Sequence, residues 1–296
     1  MTAEDWCPAL GRHSVGTAVR QIMIAHMNPS SDVRPSSALD NVDPHLSGFW
    51  HPVGLSQDPP PTEVTLLGQR LEVDECAGLS AHLGIWWCAP SAPIAPLPQL
   101  EEHQDPSFVV VHSPPEVWSS SAAQMADNFL DISHIPFLHR ASFADSDAEP
   151  TPRLSPTAAE YGFTVTYHHR TRRLHGEGSG RRVMTICFTA PFCVTMRLEY
   201  LDDNAVITAG FFMQPIDADH TRLFAVNWRD DILDGRCTRA ETIEFQQLVA
   251  AEDRSMLEQI PTHWVPHDLR CEVHTRADVT TVEMRRTLSR LLEPVG

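Results

Sequence analysis

Hydrophobic and polar positions follow different periods in different parts of the chain, and the period divides it. In SVGTAVRQIMIAHMNP the apolar residues fall at 15, 19, 22, 23 and 27, which predicts one short helix ended by Asn28-Pro29. SSDVRPSSALDNVDP reads as a linker. From residue 49 the pattern is that of strands: FWHPVGL, then EVTLLG and RLEV around a turn at Gly68-Gln69, then HLGIWWC. The proline-rich APSAPIAPLPQ that follows suits neither a regular helix nor a central strand.

Residues 107–296 are organised differently. SFVVVH predicts a strand, and WSSSAAQMADNFLDISHIPFLH a helix-like segment. Alternating strands follow, among them GFTVTYH, FCVTMRLEY, AVITAGFFMQP and TRLFAVNW, and then two helices over 238–260 and 277–293. Helix, antiparallel strands and helix make an α+β arrangement, with the long helices on one face of the sheet. No internal repeat is visible.

Composition narrows the function classes. Asp plus Glu number 39 against 22 Lys plus Arg, a formal net charge of −17. Binding to a phosphate backbone needs a basic surface, so nucleic acid is a poor partner. No apolar run approaches the roughly 20 residues of a membrane span. The start of the chain lacks a basic stretch followed by an apolar one, so secretion is not expected. The 7 cysteines (7, 76, 88, 187, 193, 237, 271) are odd in number and form no CxxC pair, which fits free thiols in a reducing cytoplasm.

The chemistry concentrates in DNFLDISHIPFLHR, residues 127–140. Asn128, Asp131 and His134 are spaced by three and would stack on one helix face. His139 lies five beyond His134, about 140° away on a regular helix, so the two imidazoles would not share a target. Pro136 forces a kink or a local widening, and a widened turn would bring His139 round to His134. The spacing is not the zinc-protease HExxH. Asp131 could hold the second ring nitrogen of His134.

Two histidines leave a metal in need of another ligand. The inner stripe of helix 238–260 runs Gln246, Val249, Asp253, Met256, Ile260. An unpaired buried carboxylate is costly, so either a cation neutralises Asp253 or the stripe is more exposed than its pattern implies. Two histidines and one carboxylate with open positions form the facial triad of non-haem Fe(II) oxygenases.

NFLDISHIPFLH matches, at every fixed position, the N-x-x-D-x-x-H-x-x-x-x-H motif of the Rieske non-haem iron oxygenase catalytic domain, and the chain resembles that family over about residues 47–296. AAEDRSMLEQIP resembles the segment carrying the family's third iron ligand, here Asp253; SGFWHPVGLSQ and EVTLLGQRLEV resemble the start of its N-terminal Rieske domain. The resemblance implies an N-terminal extension (1–44), a truncated Rieske-like β domain (45–105), and a helix-grip, START-like catalytic domain (106–296). It implies mononuclear Fe(II) on His134, His139 and Asp253. Asp131 would orient His134 and bridge electrons between subunits of a homotrimeric core, and Asn128 would shape the open side of the iron. Gln246 and Val249 would face the substrate.

The departure from the family is the cluster. A Rieske centre needs C-x-H followed by C-x-x-H, and no such set exists in this sequence. Within the family, the chain resembles cluster-less catalytic subunits that remove N-methyl groups from methylxanthines in caffeine breakdown. These work with a Rieske-containing NADH reductase and a glutathione-S-transferase-like structural subunit. The expected reaction is demethylation of 7-methylxanthine to xanthine and formaldehyde. The alternatives are a non-catalytic partner of another oxygenase, a truncated oxygenase for another small aromatic, or a ligand-binding or hydrolytic protein on the same scaffold.

Overall fold

The structure, a computed structural model, describes residues 38–144 and 152–292; the helix expected near the start of the chain lies outside them. The fold is α+β and is built on one antiparallel sheet. Its strands are β7 (Val109–His112), β8 (Glu116–Trp118), β9 (Thr157–Ala159), β10 (Gly162–Arg172), β11 (Ser179–Thr189), β12 (Cys193–Tyr200), β13 (Ala205–Pro215) and β14 (Thr221–Arg229). The order is β7-β14-β13-β12-β11-β10-β9, and β8 also pairs with β14. Strands β10 to β14 are joined as successive hairpins, the local route for alternating segments separated by short turns.

The alternation of β13 and β14 assigns the two faces. Phe211 stacks on Phe129 at 4.4 Å, whereas its neighbour Phe212 meets Trp87 edge-on at 5.4 Å. The Phe129 side carries the helices α1 (Ala122–Leu130), α2 (Ile135–Leu138), α3 (Arg239–Leu257) and α4 (Val279–Leu292). The Phe212 side joins Phe224, Val226 and Trp228 to Leu83, Ile85 and Trp87 in one buried cluster. Ile85 and Trp87 lie on β6 (Ile85–Ala89) and Leu83 in the turn before it; β6 forms a three-stranded sheet with β2 (His51–Leu55) and β5 (Gly78–His82).

β3 (Glu63–Leu66) and β4 (Gln69–Glu72) make a separate hairpin. Its turn is Leu67-Gly68, with φ of 54° and 75°, one residue earlier than the pattern suggests. The β5–β6 turn repeats the device at Leu83-Gly84, with φ of 53° and 76°, the left-handed pair that tight hairpins favour. Residues 90–99 form no regular element, as their prolines require.

Two expectations change. Ala38–Asp40, read as part of a linker, is strand β1 and pairs with β15 (Trp264–Pro266). The buried Asn41 side chain then accepts from Ala122 N at 2.8 Å and donates to Thr221 Oγ1 at 2.9 Å, tying the start of α1 to β14. The histidine segment is not one kinked or widened helix. It is two helices, α1 and α2, separated by a break at 131–134.

Candidate metal centre

α1 begins at a capping box, in which Ser121 accepts from Gln124 N at 3.2 Å and Gln124 accepts from Ser121 N at 3.1 Å. It stops at Asp131, whose side chain accepts from Ser133 N at 2.7 Å and Ser133 Oγ at 2.6 Å. Such an aspartate turn offers the backbone an alternative to the next helical turn. Pro136 then sits in the first turn of α2, where its missing N–H leaves no gap. The short α2 swings His139 back, so that His134 Nε2 and His139 Nε2 lie 3.2 Å apart. A break and a restart, rather than a distorted helix, bring the two imidazoles together.

α3 supplies the third group. It also starts at a capping box, between Thr238 and Glu241. Its buried residues are Thr242, Gln246, Ala250, Asp253, Met256 and Leu257, the spacing of one helix face. Asp253 is only 3% exposed, which decides the open alternative in favour of burial. Asp253 Oδ1 lies 3.2 Å from His139 Nε2 and 3.6 Å from His134 Nε2, and accepts from Asn128 Nδ2 at 3.0 Å.

Three ligand atoms on one divalent ion, each about 2.1 Å from it and at right angles, stand about 3.0 Å apart. The observed 3.2, 3.2 and 3.6 Å match that arrangement closely. Two imidazole nitrogens and a carboxylate oxygen aimed at one point fit a divalent first-row metal. Burial pushes the His134 imidazole below its ordinary value against the pull of Asp253 and Asp131, which favours the neutral form a metal needs. Burial acts on His139 in the same direction, but Asp253 and Glu252 together outweigh it and hold this imidazole above its ordinary value.

Glu252 escaped the sequence reading as a supporting group. Its Oε2 accepts from His139 Nδ1 at 2.7 Å and from Ser142 Oγ at 2.8 Å. The available signal was the Glu252-Asp253 pair itself: two adjacent carboxylates can reach the two nitrogens of one ring. Asp131 stands differently from expectation. Its Oδ2 is 3.9 Å from His134 Nδ1, an ion-pair distance beyond direct hydrogen-bond reach. Gln246 is buried and accepts from Asn227 Nδ2 at 3.3 Å, so it docks α3 on β14; Val249 is half-buried beside it.

Residues 118–294 match the vanillate O-demethylase oxygenase C-terminal domain. The chain belongs to this family. It is 22% identical to the methylxanthine N1-demethylase NdmA of Pseudomonas putida over 67% of this chain and 54% of that protein. The methylxanthine N3-demethylase NdmB of the same organism is also 22% identical, over 64% and 52%. The chain thus spans about half the length of the curated relatives it matches.

The solved structure of NdmA with caffeine superposes with a TM-score of 0.68 at 18% identity, covering 83% of this chain and 91% of that one. NdmB gives 0.69 at 16%, covering 85% and 95%. Dicamba monooxygenase bound to dicamba gives 0.64 at 12%, covering 83% and 97%. These likenesses establish a shared fold. Among the described residues no helix is long and apolar enough to cross a membrane.

Proposed function

We propose that the chain is the catalytic subunit of an oxygenase that removes an N-methyl group from a methylxanthine, with 7-methylxanthine as the substrate tested first. The carrying observation is the convergence of His134, His139 and Asp253 within a family of demethylating oxygenases. An Fe(II) ion held by these residues would supply dioxygen activation when bound. The protein's own part is positional. Glu252 fixes the ring of His139, Asn128 holds the carboxylate of Asp253, and burial keeps His139 and Asp253 away from bulk water. Hydroxylation of the methyl carbon gives a carbinolamine, which collapses to formaldehyde and the free N–H.

The reading includes no iron–sulfur cluster in this chain. Only 15 residues separate Gly68 from Gly84, and the one cysteine and one histidine among them are engaged elsewhere. Cys76 Sγ donates to Glu72 O at 3.6 Å, and His82 Nε2 to Pro98 O at 2.7 Å. We therefore place residues 45–105 as a cluster-less remnant of a Rieske-like domain and 106–296 as the catalytic domain. The electrons would come from NADH through a separate Rieske-containing reductase, received near Asp131. A homotrimeric core and a glutathione-S-transferase-like subunit complete the proposed assembly, in the cytoplasm.

The test is product analysis of the iron-loaded protein with 7-methylxanthine, NADH and a Rieske-containing reductase. Xanthine and formaldehyde in equal amounts are expected. NADH oxidation without formaldehyde from any methylxanthine would refute the reading.

A further inference from the structure

The helix-facing side of the central sheet holds a second polar cluster, which the metal centre does not use. His169, Arg182 and Tyr200 stand directly opposite one another on β10, β11 and β12. Alternation puts them on the same face as Ile186, Met196 and Asn227, and Asn227 touches Gln246 of α3. They therefore belong to the floor under the helices. Arg182 is 3% exposed; its Nε donates to His169 Nε2 at 2.8 Å and its Nη1 to the Tyr200 hydroxyl at 2.9 Å.

Three arginines are buried among the described residues: Arg182, Arg229 and Arg285. Arg229 grips both oxygens of Asp231 at 2.9 and 2.7 Å. Arg285 meets Asp127 at 2.9 Å and also Glu272. Arg182 alone has no carboxylate within ion-pair distance among the described residues. Its two partners are a neutral imidazole and a phenol, and its Nη2 donates to none of them. A buried guanidinium without a counter-charge is costly, and its planar fork suits a carboxylate-like acceptor.

The strand that carries His169 also reaches the metal centre, at its last residue. Three residues beyond His169, Arg172 Nη1 donates to the Ser142 carbonyl at 3.1 Å. Ser142 Oγ donates to Glu252, which holds His139. We infer that Arg182 is the anion anchor of the substrate pocket. It would bind an oxyanion on a planar aromatic substrate, either a ring carboxylate or the ionised oxygen of a purine dione, while the methyl group faces the metal centre. This rests on the reading of the triad as an oxygenase centre, and not on methylxanthine as its substrate.

Fluorescence titration of the iron-loaded full chain tests the anchor with two matched sets of probes. One set compares 4-methoxybenzoate with neutral 4-methoxybenzamide. The other compares 7-methylxanthine below and above ionisation of its ring N–H, with caffeine, which has no such proton, as the control. A hydrogen bond to a charged group is worth about 10- to 100-fold in affinity. One anion should bind tighter than its neutral counterpart by that factor, and Arg182→Met should abolish the difference. Arg182→Lys, which keeps the charge without the fork, should retain part of it.

A preference for the benzoate supports the anchor and assigns an aromatic acid, which overturns the methylxanthine reading. A preference for ionised 7-methylxanthine supports both. Wild-type protein that does not discriminate charge, or discrimination that survives in Arg182→Met, overturns the anchor even where methylxanthine turnover is observed. Should Arg182→Met fail to fold by circular dichroism, Arg182→Lys takes its place: discrimination weaker than wild type supports the anchor, and discrimination equal to wild type overturns it.

Discussion

The carboxylate of Glu252 accepts the Nδ1 proton of His139 at 2.7 Å. Asp253, the next residue on α3, approaches the other nitrogen of the same ring at 3.2 Å. One helix turn thus carries both the candidate ligand Asp253 and the group that orients His139. Glu252→Ala is expected to keep iron but hold it about 10- to 100-fold more weakly, the usual effect of losing such a support. Competition with a chelator measures this, and unchanged affinity would assign Glu252 a purely structural role.

Asp253→Ala should remove iron from a folded protein. Two imidazoles remain, too few for a stable centre, and Asn128 Nδ2 loses its acceptor. Wild-type protein should carry one iron per chain and no acid-labile sulfide. Stoichiometric iron in Asp253→Ala, with an unchanged circular dichroism spectrum, would move the third ligand elsewhere.

Asp131→Asn should leave folding and iron content intact, because an amide oxygen can still accept from Ser133. What disappears is the negative charge 3.9 Å from His134 Nδ1. NADH-driven turnover with the reductase should fall steeply, and wild-type turnover in the variant would rule out the electron-bridging role.

The chain's formal charge of −17 should assist encounter with a basic face of the reductase. Charge steering is screened by salt, so the reductase-dependent rate at low protein concentration should drop between about 50 and 500 mM salt. A rate indifferent to salt would exclude electrostatic docking.

Acid should destabilise the fold through His51. This residue is fully buried, Nε2 donates to Leu46 O at 2.8 Å, and burial pushes its pKa down from 6.5 to about 4. Between those values the unfolded chain binds a proton that the folded chain refuses. Stability is therefore complete above pH 6.5 and falls as pH drops towards 4, by about 3 kcal/mol from this residue. His169, held down to about 3, acts in the same direction. Urea midpoints at pH 7 and pH 4.5 should differ less in His51→Gln than in wild type. Equal losses in both proteins would clear His51 of the effect.

Period-2 and period-3.6 patterns, caps and prolines are local, so the strands β10, β12, β13 and β14 and the two long helices were legible from the residues alone. The candidate triad was named from short motifs, His134 and His139 in one and Asp253 in the other, through their resemblance to a known family; that the three side chains meet is a property of the fold. The course of the chain at Asp131–Pro136 was not legible. A proline between two histidines permits a kink, a bulge or a restart, and only the Asp131–Ser133 hydrogen bonds select the restart. The pairing of β1 with β15, the meeting of Glu252 with His139 across 113 residues, and the line of His169, Arg182 and Tyr200 depend on register between distant segments. Register is decided by which faces can be buried together, a property of the assembled sheet and helices that no single stretch of residues carries.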